Sequence, residues 1–73
     1  MILPDTVVHG NARYFPKATD LEVLRWCAAR GLTLDSLATQ VGVPRVTLSL
    51  MLKGVDPVTA AAERRLRAVI DGN

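Results

Sequence analysis

Apolar residues recur at helical spacing along most of this chain, and the polar residues between them mark where each helix starts and stops. After Thr19, the residues Leu21, Leu24 and Ala28 share one stripe at about 100° per residue, while Val23, Trp26 and Cys27 share another side. Two apolar faces on one helix need two coverings. One is the helical core; the other is the N-terminal segment with Val7, Tyr14 and Phe15, or a second subunit. Thr19-Asp20-Leu21-Glu22 has the spacing at which a threonine oxygen and a glutamate carboxylate satisfy orphan backbone donors at a helix start. A first helix is therefore predicted from Asp20 to Arg30, with Gly31 as its stop. Thr33 stands where it caps a second helix, Leu34 to Val41, and Gly42 permits the positive φ of an abrupt end. A third helix follows Pro44. Gly54-Val55-Asp56-Pro57-Val58 then reads as a connection, because Gly ends a helix and Pro57 cannot continue one from within. A fourth helix is predicted from Thr59 to Ile70, with Ala62, Leu66, Val69 and Ile70 inward, Arg64 and Arg67 outward, and Glu63 four residues before Arg67 as a supporting pair.

Residues 1 to 17 follow a different pattern. Two β-prone runs, Thr6-Val7-Val8-His9 and Ala12-Arg13-Tyr14-Phe15, flank Gly10-Asn11, which predicts a hairpin. A lone two-stranded hairpin is marginal in water, so it must pack on the helices or pair with another subunit's strands. If the segment is an arm instead, Arg13 and Lys17 are placed to follow a nucleic-acid backbone. The expected organisation is an N-terminal extension over residues 1–17, read as a β-hairpin or an arm, and a helical domain over 18–73. The expected fold is mainly α, with four short helices around one core.

The stretch Leu34 to Leu52 reads as two short helices folded across one sharp turn, a helix-turn-helix. Ala38 is small where the two helices cross, and Val43, Leu48 and Met51 point back at the first of them. Arg45, Val46, Ser49, Leu50 and Lys53 are left facing outward. A helix is about as wide as the DNA major groove, so one offered N-terminus first brings four or five side chains to base edges. The same arrangement also occurs in domains that bind only protein.

From Thr33 to Ile70 the chain resembles the helix-turn-helix domains of the Cro and phage-repressor superfamily and of the Lac repressor family. Gly42-Val43-Pro44-Arg45-Val46-Thr47-Leu48-Ser49 carries the likeness, and Leu52-Lys53-Gly54 followed by Pro57-Val58-Thr59 resembles how those domains continue. The likeness covers about half of the chain. It implies a lambda-repressor-like fold, base-contacting roles for Arg45, Val46, Ser49 and Leu50, and phosphate-contacting roles for Thr33, Thr47 and Lys53. Val46 and Leu50 depart from the usual polar type. They offer only methyl contact, best suited to a thymine methyl, which argues against high sequence specificity and keeps a protein-binding use of the pair open.

Composition narrows the alternatives. A chain of 73 residues builds one small core, so stability that leans on a partner copy is expected. The formal net charge of +2 tolerates phosphates without making a polycationic arm. No apolar stretch approaches the ~20 residues needed to span a bilayer, and Met1-Ile2-Leu3-Pro4-Asp5 lacks the regions of a secretion signal, so a cytoplasmic protein is expected. Cys27 is the one cysteine and His9 the one histidine, which leaves no metal-site spacing; Cys27 reads as a small buried hydrophobe. Neither a nucleophile–base set nor a phosphate-cradling glycine loop is present, so an enzyme is not expected, nor any cofactor or small-molecule ligand.

The resulting expectation is a sequence-specific DNA-binding transcriptional regulator of repressor type. It would act as a homodimer on an inverted repeat of double-stranded DNA, with recognition helices roughly 34 Å apart. Size and family likeness imply a phage, plasmid or other mobile-element origin. The principal alternative is an adaptor or antagonist that binds a partner protein through Val46 and Leu50. A third is a DNA-bending architectural factor, which would deform its site without tight sequence choice.

Overall fold

A computed structural model describes residues 4–71; Met1, Ile2, Leu3, Gly72 and Asn73, which the readings of the chain start and of the 18–73 domain include, lie outside the described residues. The fold is mainly α. A short hairpin of β1 (Val7–His9) and β2 (Ala12–Tyr14) precedes four helices, α1 (Asp20–Ala29), α2 (Leu34–Val41), α3 (Arg45–Leu52) and α4 (Ala60–Asp71).

Three helix starts, those of α1, α2 and α4, are set by threonines. Thr19 Oγ1 accepts from the Glu22 N–H at 3.1 Å, and Thr59 Oγ1 does the same for Ala62. At α2 the box is reciprocal: Thr33 Oγ1 accepts from Ser36 N–H at 3.1 Å, and Thr33 N–H donates to Ser36 Oγ at 3.2 Å. Thr59 is thus the cap of α4, so that helix begins one residue later than the sequence suggested, and α1 ends one residue sooner.

Among the described residues, thirteen apolar ones form the core, including Val23 and Cys27 of α1, Leu34, Leu37, Ala38 and Val41 of α2, Leu48, Met51 and Leu52 of α3, and Ala62 and Leu66 of α4. Leu37, Val41, Leu48 and Leu66 have no solvent exposure, so α2, α3 and α4 meet at one dry centre. Val43, Val69 and Ile70 pack on it while half-buried. Of the two apolar stripes on α1, the inward one is Val23, Trp26 and Cys27. Leu21 and Leu24 remain about half exposed, and Ala28 lies open beside them. Burial raises the Cys27 thiol pKa by desolvation, as expected for a residue acting as a hydrophobe. Arg67 departs from its predicted outward position: it is half-buried, and its Nε and Nη2 both donate to Glu63 Oε2 at 3.1 and 3.0 Å.

The N-terminal segment is a hairpin fastened to the helices, not an arm. Gly10 has φ +61° and, among the described residues, no non-glycine residue has positive φ, so only the first loop position is left-handed, the pattern of a II′ turn. Three ties hold the segment down. Val58 N–H donates to Arg13 O at 2.8 Å, Ala18 N–H donates to Lys53 O at 3.1 Å, and Phe15 is buried in the core. Gly54 makes the close approach possible: at φ +78°, a Cβ there would stand 2.5 Å from Phe15 O.

These contacts make a paired prediction. Gly31 also has positive φ, but a Cβ there meets nothing within 4 Å. Gly31→Ala should cost about 1–2 kcal/mol, the price of a left-handed alanine. Gly54→Ala should cost at least about 1 kcal/mol more, because the backbone of Phe15 and Pro16 cannot yield as a side chain can. Urea unfolding of the two variants measures the difference, and equal losses would show that the segment is not held against Gly54.

Candidate nucleic-acid interface

The geometry of the candidate surface follows from how α2 hands over to α3. Ala38 O accepts from both Gly42 N–H (2.8 Å) and Val43 N–H (3.1 Å), which closes the last turn of α2. Gly42 at φ +83° then reverses the chain, and Pro44, extended at φ −60° and ψ 147°, opens α3 without a side-chain cap. With Leu48, Met51 and Leu52 buried, α3 is fixed in rotation about its own axis, and its other residues must face away from the core.

The outward residues form two adjacent rows. Arg45 and Ser49 make one, Val46 and Leu50 the other, and Lys53 continues past both at the C-terminal end. Exposure falls along the helix. The Arg45 side chain is 57% exposed and Val46 67%, whereas Ser49, Leu50, Thr47 and Lys53 are half-buried. The leading turn of α3 is therefore the most accessible part. Thr33 is exposed at the start of α2, with its oxygen engaged in the cap.

Both cations of this surface are already paired. Arg45 Nε lies 3.2 Å from Asp35 Oδ1, on the first turn of α2, and Lys53 Nζ lies 3.0 Å from Asp20 Oδ1, on the first turn of α1. The first pair brings the beginnings of α2 and α3 together, so Thr33, Arg45 and Val46 belong to one region. The second draws Lys53 toward α1, and its side chain is only 23% exposed. The two carboxylates, Asp35 and Asp20, are 80% and 75% exposed, so both pairs are open to solvent on that side and worth little, roughly 0–1 kcal/mol, and the cations can exchange for another anion.

Three features were not evident from the sequence. Arg65 of α4 donates from Nη1 to Val41 O at 3.1 Å and so caps the end of α2 from another helix. Its guanidinium is the nearest group to Gly42, where a Cβ would stand 2.9 Å from Nη1. Arg30 places its guanidinium carbon 5.0 Å from the centre of the Trp26 ring, a cation–π contact. Trp26 Nε1 and Arg30 Nε and Nη2 are buried without a hydrogen-bond partner among the described residues. An apolar groove of about 450 Å³ lies where Phe15 and Pro16 pass α1, near Trp26 and Leu52. Among the described residues, no group of three or more His, Cys, Asp or Glu is placed to hold a metal, and no helix is long and apolar enough to cross a membrane.

No protein-family model, curated protein or solved structure matches the chain.

Because Arg65 joins the turn to α4, its loss should be felt at the turn. Arg65→Met is expected to cost about 1 kcal/mol, near the middle of the range for one hydrogen bond, and to speed hydrogen exchange at the Gly42 and Val43 amides. Unchanged exchange there would mean that Ala38 O holds the turn unaided.

Proposed function

We propose that this chain is a DNA-binding transcriptional regulator of repressor type, of the Cro and phage-repressor kind, acting on double-stranded DNA as a homodimer in the cytoplasm. The observation that carries this reading is the accessible leading turn of α3, with Arg45 and Val46 outermost, on a helix whose opposite face is locked into the core. A helix offered end-first from a rigid support suits the width and depth of the major groove. Arg45 is assigned to guanine O6 and N7, Val46 and Leu50 to thymine methyls, and Ser49 to either kind of base edge. Thr33, Thr47 and Lys53 are assigned to phosphates. One copy reads only a few base pairs, so useful affinity comes from two copies on an inverted repeat. The proposal includes no catalytic role, cofactor or small-molecule ligand, and the likeness to phage repressors points to a mobile-element origin.

The two ion pairs give this surface a particular character. To meet DNA, Arg45 must leave Asp35 and Lys53 must leave Asp20, which leaves two unpaired carboxylates on the side offered to a polyanion. Asp35 therefore acts as a brake on indiscriminate binding.

A second reading is favoured by one observation, the 67% exposure of Val46, which suits an aliphatic anchor for a partner protein. The two readings differ in salt dependence, since phosphate contacts release counterions and apolar contacts do not.

Fluorescence anisotropy on duplex DNA over a salt series tests the reading. Arg45→Ala should remove about 1–3 kcal/mol of discrimination at one base position. Lys53→Ala should weaken binding to all sequences and flatten the salt slope by about one unit. Leu50→Arg should be tolerated or strengthen DNA binding, while a protein anchor would be lost. Asp35→Asn should tighten binding by up to about fivefold, the worth of one exposed ion pair, and more for random than for specific sequence. Salt-indifferent binding, or variants that all match the parent, would contradict the proposal.

A further inference from the structure

We propose that the outer edge of β1 is the contact between two copies of this chain, which join through Val8 into a four-stranded antiparallel sheet. This rests on the two-copy reading above and supplies the surface that it leaves unspecified.

The phase of the hairpin's hydrogen bonds selects this edge. His9 pairs with Ala12, Val8 with Arg13, and Val7 with Tyr14. In a hairpin with a two-residue loop, the pair closing the loop exchanges both its hydrogen bonds, and the next pair exchanges none. Val8 and Arg13 occupy that second position, so their N–H and C=O groups point away from each other. On the β2 side this is seen directly, because the outward Arg13 O accepts from Val58 N–H at 2.8 Å. That edge is closed by the connection between α3 and α4. On the β1 side the outward N–H and C=O of Val8 meet no backbone group among the described residues.

Such an edge is usually defended by a charge, a proline or a bulge. β1 has none of these: its residues are Val7, Val8 and His9, all three exposed, with Val8 at 62%. A second copy is the occupant that this edge fits by symmetry. A two-fold axis beside Val8 sets Val8 against Val8 of the other copy, where each N–H meets the other C=O. Val7 then lies opposite His9 in both directions, so one patch serves both partners. No like charges are brought face to face. The joined edge leaves neither sheet with a free side, since the far side of each β2 is held by Val58.

Sedimentation velocity on the full chain over a concentration series, without DNA, tests this. The parent should pass from monomer to dimer, with the Val8 amide more protected from exchange as dimer forms. Val8→Pro removes only the outward donor, and two symmetry-related hydrogen bonds are lost together, so the dissociation constant should rise by about tenfold or more. Val8→Lys sets two ammonium groups side by side and should have the same effect should the proline variant fold poorly. Val8→Thr keeps the donor and should dimerise like the parent. A chain that is monomeric throughout, or Val8→Lys dimers as tight as the parent's, would overturn the proposal. So would dissociation by Leu24→Lys alone, which would assign the contact to the exposed stripe of α1. A dimer that depends on Val8 yet binds no DNA would sink the regulator reading and leave this one standing. Footprints on an inverted repeat by a chain indifferent to Val8 would do the reverse.

Discussion

The crossing of α2 over α3 is the constraint on which the rest of this molecule depends. Two helices of eight residues each are too short to be stable alone, so each exists because the other covers its apolar stripe. Ala38 keeps the side chain small on the buried side of α2, Gly42 accepts the left-handed turn, and Leu48 enters the shared core without any exposure. α4 completes the unit through Leu66 and through the guanidinium of Arg65 on the last turn of α2. Once this centre is fixed, the direction of every other side chain on α3 follows, and the accessible first turn is a consequence of the core.

The hairpin shows a second level of dependence. Two three-residue strands have no stability of their own, and these persist because Phe15 enters the core and Arg13 O is used by Val58. Gly54 stands where α3 ends and the N-terminal segment passes over it, so the end of the candidate recognition helix and the seat of the hairpin share one residue. Any change in how the segment sits would reach Lys53 through the Ala18 to Lys53 backbone bond.

Much of the fold was legible in the sequence, because its signals are local. Thr19, Thr33 and Thr59 place the starts of α1, α2 and α4 within a residue, Gly42 places the turn, and Gly10-Asn11 places the hairpin loop. Three things were not legible. Periodicity gave α1 two apolar stripes but cannot say which faces inward; the structure turns Val23, Trp26 and Cys27 to the core and leaves Leu21 and Leu24 outside. Arg65 meets Val41 O across 24 residues, and no local pattern encodes that distance. The pairing of Arg45 with Asp35, and of Lys53 with Asp20, depends on how three helices sit together. The outward residues of α3 could be named from spacing; that its cations are held by carboxylates could not.

That electrostatic arrangement changes what kind of DNA reader is being proposed. A surface with free arginine and lysine binds any duplex, whereas one whose cations must be released from carboxylates gains more from a site that offers groups in the right places. Two aliphatic readers add shape and methyl contacts but little polar discrimination. Modest affinity per copy is therefore expected, with selectivity arising from the paired arrangement of two. Selection of bound duplexes from a random pool by the full chain tests this most directly. The expected result is an enriched inverted repeat of short half-sites, about one helical turn apart, each holding a guanine beside thymines. A pool that emerges without enrichment, or with a single unpaired motif, would contradict it.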